Sequence, residues 1–251
     1  AGADILGGMG VRSSAELVDE VDEARLTDAC RRILIAKFRL GIFENPYVDE
    51  DAVYNNVGTE AHKAVAKEAA ARSFTLVKYE NASALAGQKL VVAGSLAQNV
   101  RALNSGWTAK EPIEIEGTTI LDALTAKAGT GNVTYIETAE EVPDDLSGTT
   151  AIVVVGEKSG THDPEWTAAD LEFPQEQVAL VNALKTAGAN VVSVVIMNRA
   201  YVLTPISEAS DSVLLVYRPG VTCGAEAVAD ALYGETAITG KLPFQIPKTM
   251  E

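Results

Sequence analysis

Residues 150–157 read "TAIVVVGE": an unbroken apolar run that closes on a glycine and a glutamate. A strand with one solvated face alternates apolar and polar residues, whereas this run has no polar face, so it belongs in a sheet covered on both sides. Working outward, "TTILDALTAKAG" (118–129) reads as a helix leading to the strand "NVTYIE" (132–137). Downstream, the helix "PQEQVALVNALKTAG" (174–188) precedes the strand "NVVSVVIM" (190–197). The strand "DSVLLVYRPG" (211–220) then precedes the helix "CGAEAVADALYG" (223–234). "KLVVAGS" (89–95) is a further short buried strand, and "SFTLVKY" (73–79) turns β-branched and aromatic. Buried strands separated by amphipathic helices predict an α/β fold: a parallel sheet with helices on both faces. Ligands of such sheets sit beyond the carboxyl ends of the strands. The loops starting at Gly94, Gly156, Met197 and Pro219 are therefore expected on one rim.

The first part of the chain has a different pattern. Across residues 13–40, Leu26, Ala29, Ile33, Ala36, Phe38 and Leu40 recur at roughly helical spacing. Thr27 is the expected cap of the second helix there, and Gly41 its expected stop. "IFENPYVDEDAVYNNVG" (42–58) reads as a linker by composition, with Pro46 and an Asn pair. "TEAHKAVAKEAAAR" (59–72) is rich in strong helix formers, with Thr59 as cap.

With 251 residues, there is room for one large domain, or one domain with an appendage. The formal net charge is −15. With no Lys/Arg cluster to displace phosphate counterions, nucleic acid is excluded as a partner. No apolar stretch approaches the length needed to span a bilayer, so no membrane partner is expected. Cys30 and Cys223 lie far apart outside any zinc-like spacing and are expected to be free and packed. No metal and no cofactor is expected. The chain opens "AGADILGGMG", with neither an initiator Met nor a signal peptide. It is expected to be a piece of something longer, or a processed product, and the compartment stays unassigned.

The chemistry concentrates in "GEKSGTHDPEW" (156–166), with Glu157, His162, Asp163, Glu165 and Trp166. A glycosidase needs two carboxyl groups flanking a sugar bond, and Glu157, Asp163 and Glu165 are candidates. A solvated acidic loop in an acidic protein fits the composition equally. A metal held by His162, Asp163 and Glu165 lacks a second histidine. "VVAGS" (91–95) and "YRPGVTCG" (217–224) end strands in glycine without the full spacing of a phosphate cradle, so turn chemistry accounts for them. "DEDAVYNNVGTE" (49–60) is no calcium loop, because Val53 and Tyr54 stand where a ligand and the turn glycine belong.

Four segments carry a resemblance to a known family. "DACRRILIAKFRLGIFENPY" (28–47), "EAAARSFTLVKYENASAL" (68–85), "VVVGEKSG…ADLEFPQEQVALVNAL" (153–184) and "YRPGVTCGAEAVADALYGETAITGKLPFQIP" (217–247) resemble, in order, glycoside hydrolase family 3, the β-glucosidase family. The resemblance implies the family's second domain, a six-stranded α/β sandwich, preceded by the helical end of a (β/α)8 barrel. The implied division is 1–41 for the barrel end, 42–67 for an interdomain linker and helix, and 68–251 for the sandwich. It further implies retaining hydrolysis of terminal β-linked sugars. The barrel, in cis or as a separate chain, supplies the aspartate nucleophile, and this chain supplies the acid/base loop. Carried over, Glu165 is the acid/base and Asp163 its fallback, while His162, Trp166 and Glu157 border the substrate. The family's glutamate position itself falls at Pro164 and a following arginine at Ala168, and the family's "NGRP" reads "NRAY" here (198–201). The implied partners are a carbohydrate substrate and the barrel, with a homo-oligomer open. A non-catalytic scaffold or sugar-binding module built on the same domain is the alternative.

Overall fold

A computed structural model describes residues 3–5, 20–80, 85–104, 114–157 and 171–250. It divides into two units, Ala1–Thr59 and Glu60–Glu251. No helix among the described residues is long and apolar enough to cross a membrane.

In the first unit, helix α1 spans Glu23–Arg39. Its cap is Asp22, whose side chain accepts from the Arg25 N–H at 2.7 Å; Thr27 lies inside the helix instead. The acidic first turn (Glu23) and basic last turn (Lys37, Arg39) complement the helix dipole, which favours the earlier start. Gly41 does end it, at φ +67°. Ala29 is the buried residue of α1, while Leu34, Ile35 and Phe38 are exposed, Phe38 by 62%. Cys30 is free but exposed rather than packed. The stretch read as a linker holds a short helix, α2 (Glu50–Asn56), capped by Asp49 with Glu50 and Asp51 in its first turn. Composition conceals that cap.

In the second unit, helix α3 (Glu60–Ser73) leads through the buried Phe74 into strand β1 (Thr75–Tyr79). Then follow β2 (Leu90–Ala93), α4 (Ile120–Ala128), β3 (Val133–Ile136), β4 (Thr150–Gly156), α5 (Gln175–Thr186), β5 (Asn190–Ile196), α6 (Thr204–Glu208), β6 (Ser212–Leu215) and α7 (Gly224–Leu232). The described residues form a six-stranded sheet in the order β1-β6-β5-β4-β2-β3. Only β1 runs antiparallel, on the edge against β6.

Strand β4 is buried along its whole length. Ile152 and Val154 pack on one face with Val194, Leu214, Leu124 and Val228, from β5, β6, α4 and α7. Val153 and Val155 pack on the other with Val195, Leu180, Leu184 and Ile206, from β5, α5 and α6. The two-residue period of the strand thus feeds two cores at once. Burying each such aliphatic side chain contributes roughly 1.5–3 kcal/mol.

Candidate functional site

Strands β2, β4, β5 and β6 are parallel, so their carboxyl ends, at Ala93, Gly156, Ile196 and Leu215, share one edge. The exits are tight. A Cβ on Gly156, at φ +130°, would sit 1.9 Å from the Ile196 carbonyl oxygen, so β4 can leave the sheet here only on a glycine. The Gln177 side chain fixes the same residue, accepting from the Gly156 N–H at 2.7 Å and donating to its carbonyl at 2.9 Å.

One residue on, Glu157 turns inward. Its side chain is 0% exposed. One carboxylate oxygen accepts from the backbone N–H of Asn198, just past β5. The other lies 3.4 Å from Nη2 of Arg218, whose side chain is 7% exposed. Arg218 Nη1 donates to the Glu157 carbonyl at 3.1 Å and to the Ala102 carbonyl at 2.5 Å. A single guanidinium therefore ties the exits of β4 and β6 to the turn that follows β2. The neighbouring peptides reinforce this, with Gly220 N–H donating to Leu103 O at 2.9 Å and Val221 N–H to Asn104 Oδ1 at 3.2 Å.

Tyr217 aims the arginine. It is the non-glycine residue with positive φ among the described residues, at +54°, a conformation that needs outside support. The support is a hydroxyl contact of 3.0 Å with Thr75 Oγ1 and an edge-on packing against Phe244. Beside the pair, Arg199 lies over the Tyr201 ring, 4.8 Å from its centre, and Nη2 donates to the Tyr201 hydroxyl at 3.2 Å. Tyr201 packs on Phe173 with ring centres 5.0 Å apart. Burial raises the Tyr201 hydroxyl above its ordinary pKa and lowers the Arg218 guanidinium below its own, the latter opposed by Glu157. An arginine stays charged through such a shift, so the rim holds a desolvated carboxylate–guanidinium pair.

The rim expected from the strand ends is present, and Glu157 stands on it. Its carboxylate is enclosed and engaged by Asn198 and Arg218. His162, Asp163, Glu165 and Trp166 lie outside the described residues. Sequence reasoning misses Arg218, Tyr201 and Gln177, because "YRPG" draws attention to its glycine. An arginine flanked by the apolar run "VLLVY" and a Pro-Gly turn is the available signal, because a charge at the end of a buried strand needs a partner. Next to the rim, a cavity of about 230 Å³ opens between Ser95, Glu137, Glu140, Glu176 and Gln177.

Comparison with known proteins shows what the chain is similar to. The sequence profile of the glycosyl hydrolase family 3 C-terminal domain matches residues 75–251. A periplasmic beta-glucosidase of Salmonella typhimurium is 27% identical, over 92% of this chain and 35% of that protein. The crystal structure of a beta-glucosidase from Listeria innocua superimposes with a TM-score of 0.75 at 26% identity, covering 94% of this chain and 34% of that one. An exo-1,3/1,4-beta-glucanase from a Pseudoalteromonas species superimposes with a TM-score of 0.73 at 27% identity, covering 94% of this chain and 32% of its own. The chain thus spans about a third of the length of these relatives.

Proposed function

This chain belongs to glycoside hydrolase family 3, in which residues 75–251 form the C-terminal domain, and from that premise we propose that it carries the acid/base half of a retaining β-glucosidase-like centre. The substrates are glycosides with a terminal β-linked sugar. The division proposed is 1–41 for the end of a barrel domain, 42–67 for a linker and helix, and 68–251 for the sandwich. Glu165 donates the proton to the leaving oxygen, with Asp163 as its fallback, and His162 and Trp166 border the aglycone. The nucleophile comes from a barrel outside these 251 residues.

The supporting observation is the exit of β4. Gly156 and Glu157 are fixed on the rim by Gln177, Asn198 and Arg218. The segment that follows carries Asp163 and Glu165, so it starts from the rim where a parallel sheet binds its ligands. A retaining pair stands ~5–5.5 Å apart, and its acid is tuned by burial and by the second carboxylate. Without the barrel, the acid lacks the second carboxylate. The isolated chain is therefore expected not to turn over an aryl β-glucoside, whereas joined to its barrel it does, with Glu165→Gln lowering kcat. Turnover by the isolated chain, abolished by Glu165→Gln, overturns the half-site reading.

Pro164 and Ala168, where the family's glutamate and arginine are expected, favour a second reading as a non-catalytic scaffold or sugar-binding module. It requires that the joined protein stay inactive, and it permits the isolated chain to bind glucose, binding that the half-site reading expects to be very weak.

A further inference from the structure

We propose that Glu157 and Arg218 are positioning residues of the proposed reaction: together they fix the point and direction at which the chain leaves β4, and so where the proton donor is delivered. The inference rests on the proposed function and deepens it. It replaces a direct substrate contact for Glu157 by action through the backbone.

The geometry argues this in three steps. First, the Glu157 carboxylate holds the Asn198 N–H and faces Arg218, with its side chain 0% exposed, so no sugar hydroxyl reaches it without breaking a buried pair. Second, the atoms Arg218 holds are the carbonyls of Ala102 and of Glu157 itself. The guanidinium thus grips the backbone at the last described residue before the segment carrying Asp163 and Glu165. Third, sheet stability alone does not require this construction. The two cores are packed by apolar side chains on both faces of β4. A charged pair beyond the strand's last residue, reached through a residue at positive φ, adds direction to the exit. Retaining catalysis needs that direction, because the proton must reach a leaving oxygen in step with attack from the opposite face.

Two measurements test it. In the isolated chain, hydrogen exchange is followed at residues 154–157, 196–199 and 216–220. Glu157→Ala and Arg218→Met are expected to raise exchange there roughly tenfold or more beyond the rise at α7, which follows only the global loss of stability. Val194→Ala, a core truncation that lowers the melting midpoint, raises exchange throughout. Equal protection of the three exits in all variants overturns the clamp. In the enzyme joined to its barrel, kcat/KM is measured on a methyl and on a dinitrophenyl β-glucoside. The alkoxide must be protonated as it leaves, whereas the dinitrophenolate leaves without help. The clamp variants are expected to lose roughly tenfold or more on the methyl glycoside and little on the dinitrophenyl one. Glu157→Gln, which keeps the acceptor for Asn198, falls between. An equal loss on both substrates, as a merely structural lesion produces, overturns the positioning role. Absence of turnover by the unmutated joined enzyme counts against the proposed function, and the exchange experiment still decides the clamp.

Discussion

Carboxylate meets guanidinium in both units, under opposite conditions. On the rim, Glu157 and Arg218 are closed off from water at 0% and 7% side-chain exposure. On α1, Arg32 reaches Asp4 at 2.6 Å and also pairs with Asp28, and Arg31 reaches Asp28 at 2.8 Å, with Asp4 half-buried and Asp28, Arg31 and Arg32 open to solvent. Judged by contact distance, the α1 cluster is the stronger of the two. Judged by desolvation, it is the weaker, because water and salt screen it while nothing screens the rim pair. Ion pairs in this chain must be ranked by what each would leave behind if broken. Losing one rim partner strands a buried charge, whereas losing an α1 partner exposes a charge to water.

The largest effect expected is therefore at the rim. Arg218→Met leaves the Glu157 carboxylate buried without its cation and should cost about 3–5 kcal/mol, read as a shift of the urea midpoint at constant slope. The double change Glu157→Gln with Arg218→Met removes both charges and should recover part of that loss. If the double variant is as unstable as the two single losses added together, the rim pair does not behave as a coupled buried pair. An intermediate case sharpens the contrast. Asp211, 15% exposed, accepts from Lys185 Nζ at 2.7 and 2.8 Å and from the Val191 N–H at 2.8 Å. Burial works to raise its pKa, but Lys185 and the Val191 amide outweigh it, so the folded-state value lies below the ordinary one. A carboxyl depressed on folding contributes stability that is complete above the ordinary value of about 3.9 and is lost as pH falls through the lowered one. Asp211→Asn should cost about 1–3 kcal/mol near neutral pH. It should also flatten the acid limb of the stability profile, which Asp230, depressed by Lys127 and Lys67, continues to shape.

What can be read from the sequence divides along the same line between local and distant causes. The run "TAIVVVGE" announces β4, because burial on both faces leaves no place for a polar residue. The Thr119 cap of α4 with Asp122 as its reciprocal partner is equally local, a signal within four neighbouring residues. The strand ends at Gly94, Gly156, Met197 and Pro219 follow from parallel pairing and do share one edge. Arg218 cannot be placed in this way, since its carbonyl partner Ala102 is 116 residues away in the chain. The run "VLLVY" before "RPG" signals that the charge needs a partner, but nothing in it says which. α6 (Thr204–Glu208) escapes because it is too short to show a period. Asp49 passes for linker acidity although it caps α2.

The smallest effect expected is on α1, and it discriminates best. Arg32 and Arg25 hold the Asp4 carboxyl below the usual carboxylate range, and Arg31 with Arg32 does the same to Asp28. A ranking by pKa displacement would place this cluster above Asp211. A ranking by desolvation places it last, since these side chains already spend their time against water. Arg32→Gln should therefore raise the Asp4 and Asp28 titration midpoints, as followed by carboxyl NMR, while lowering the thermal midpoint of the chain much less than Asp211→Asn does. Raising the salt to about 1 M, where the screening length is about 3 Å, should move the wild-type Asp4 midpoint toward that of the variant. The Glu157–Arg218 pair, buried at both members, should be indifferent to the same salt. A loss of stability in Arg32→Gln comparable to that of Asp211→Asn would mean that α1 is covered in solution by something that excludes water from its charges.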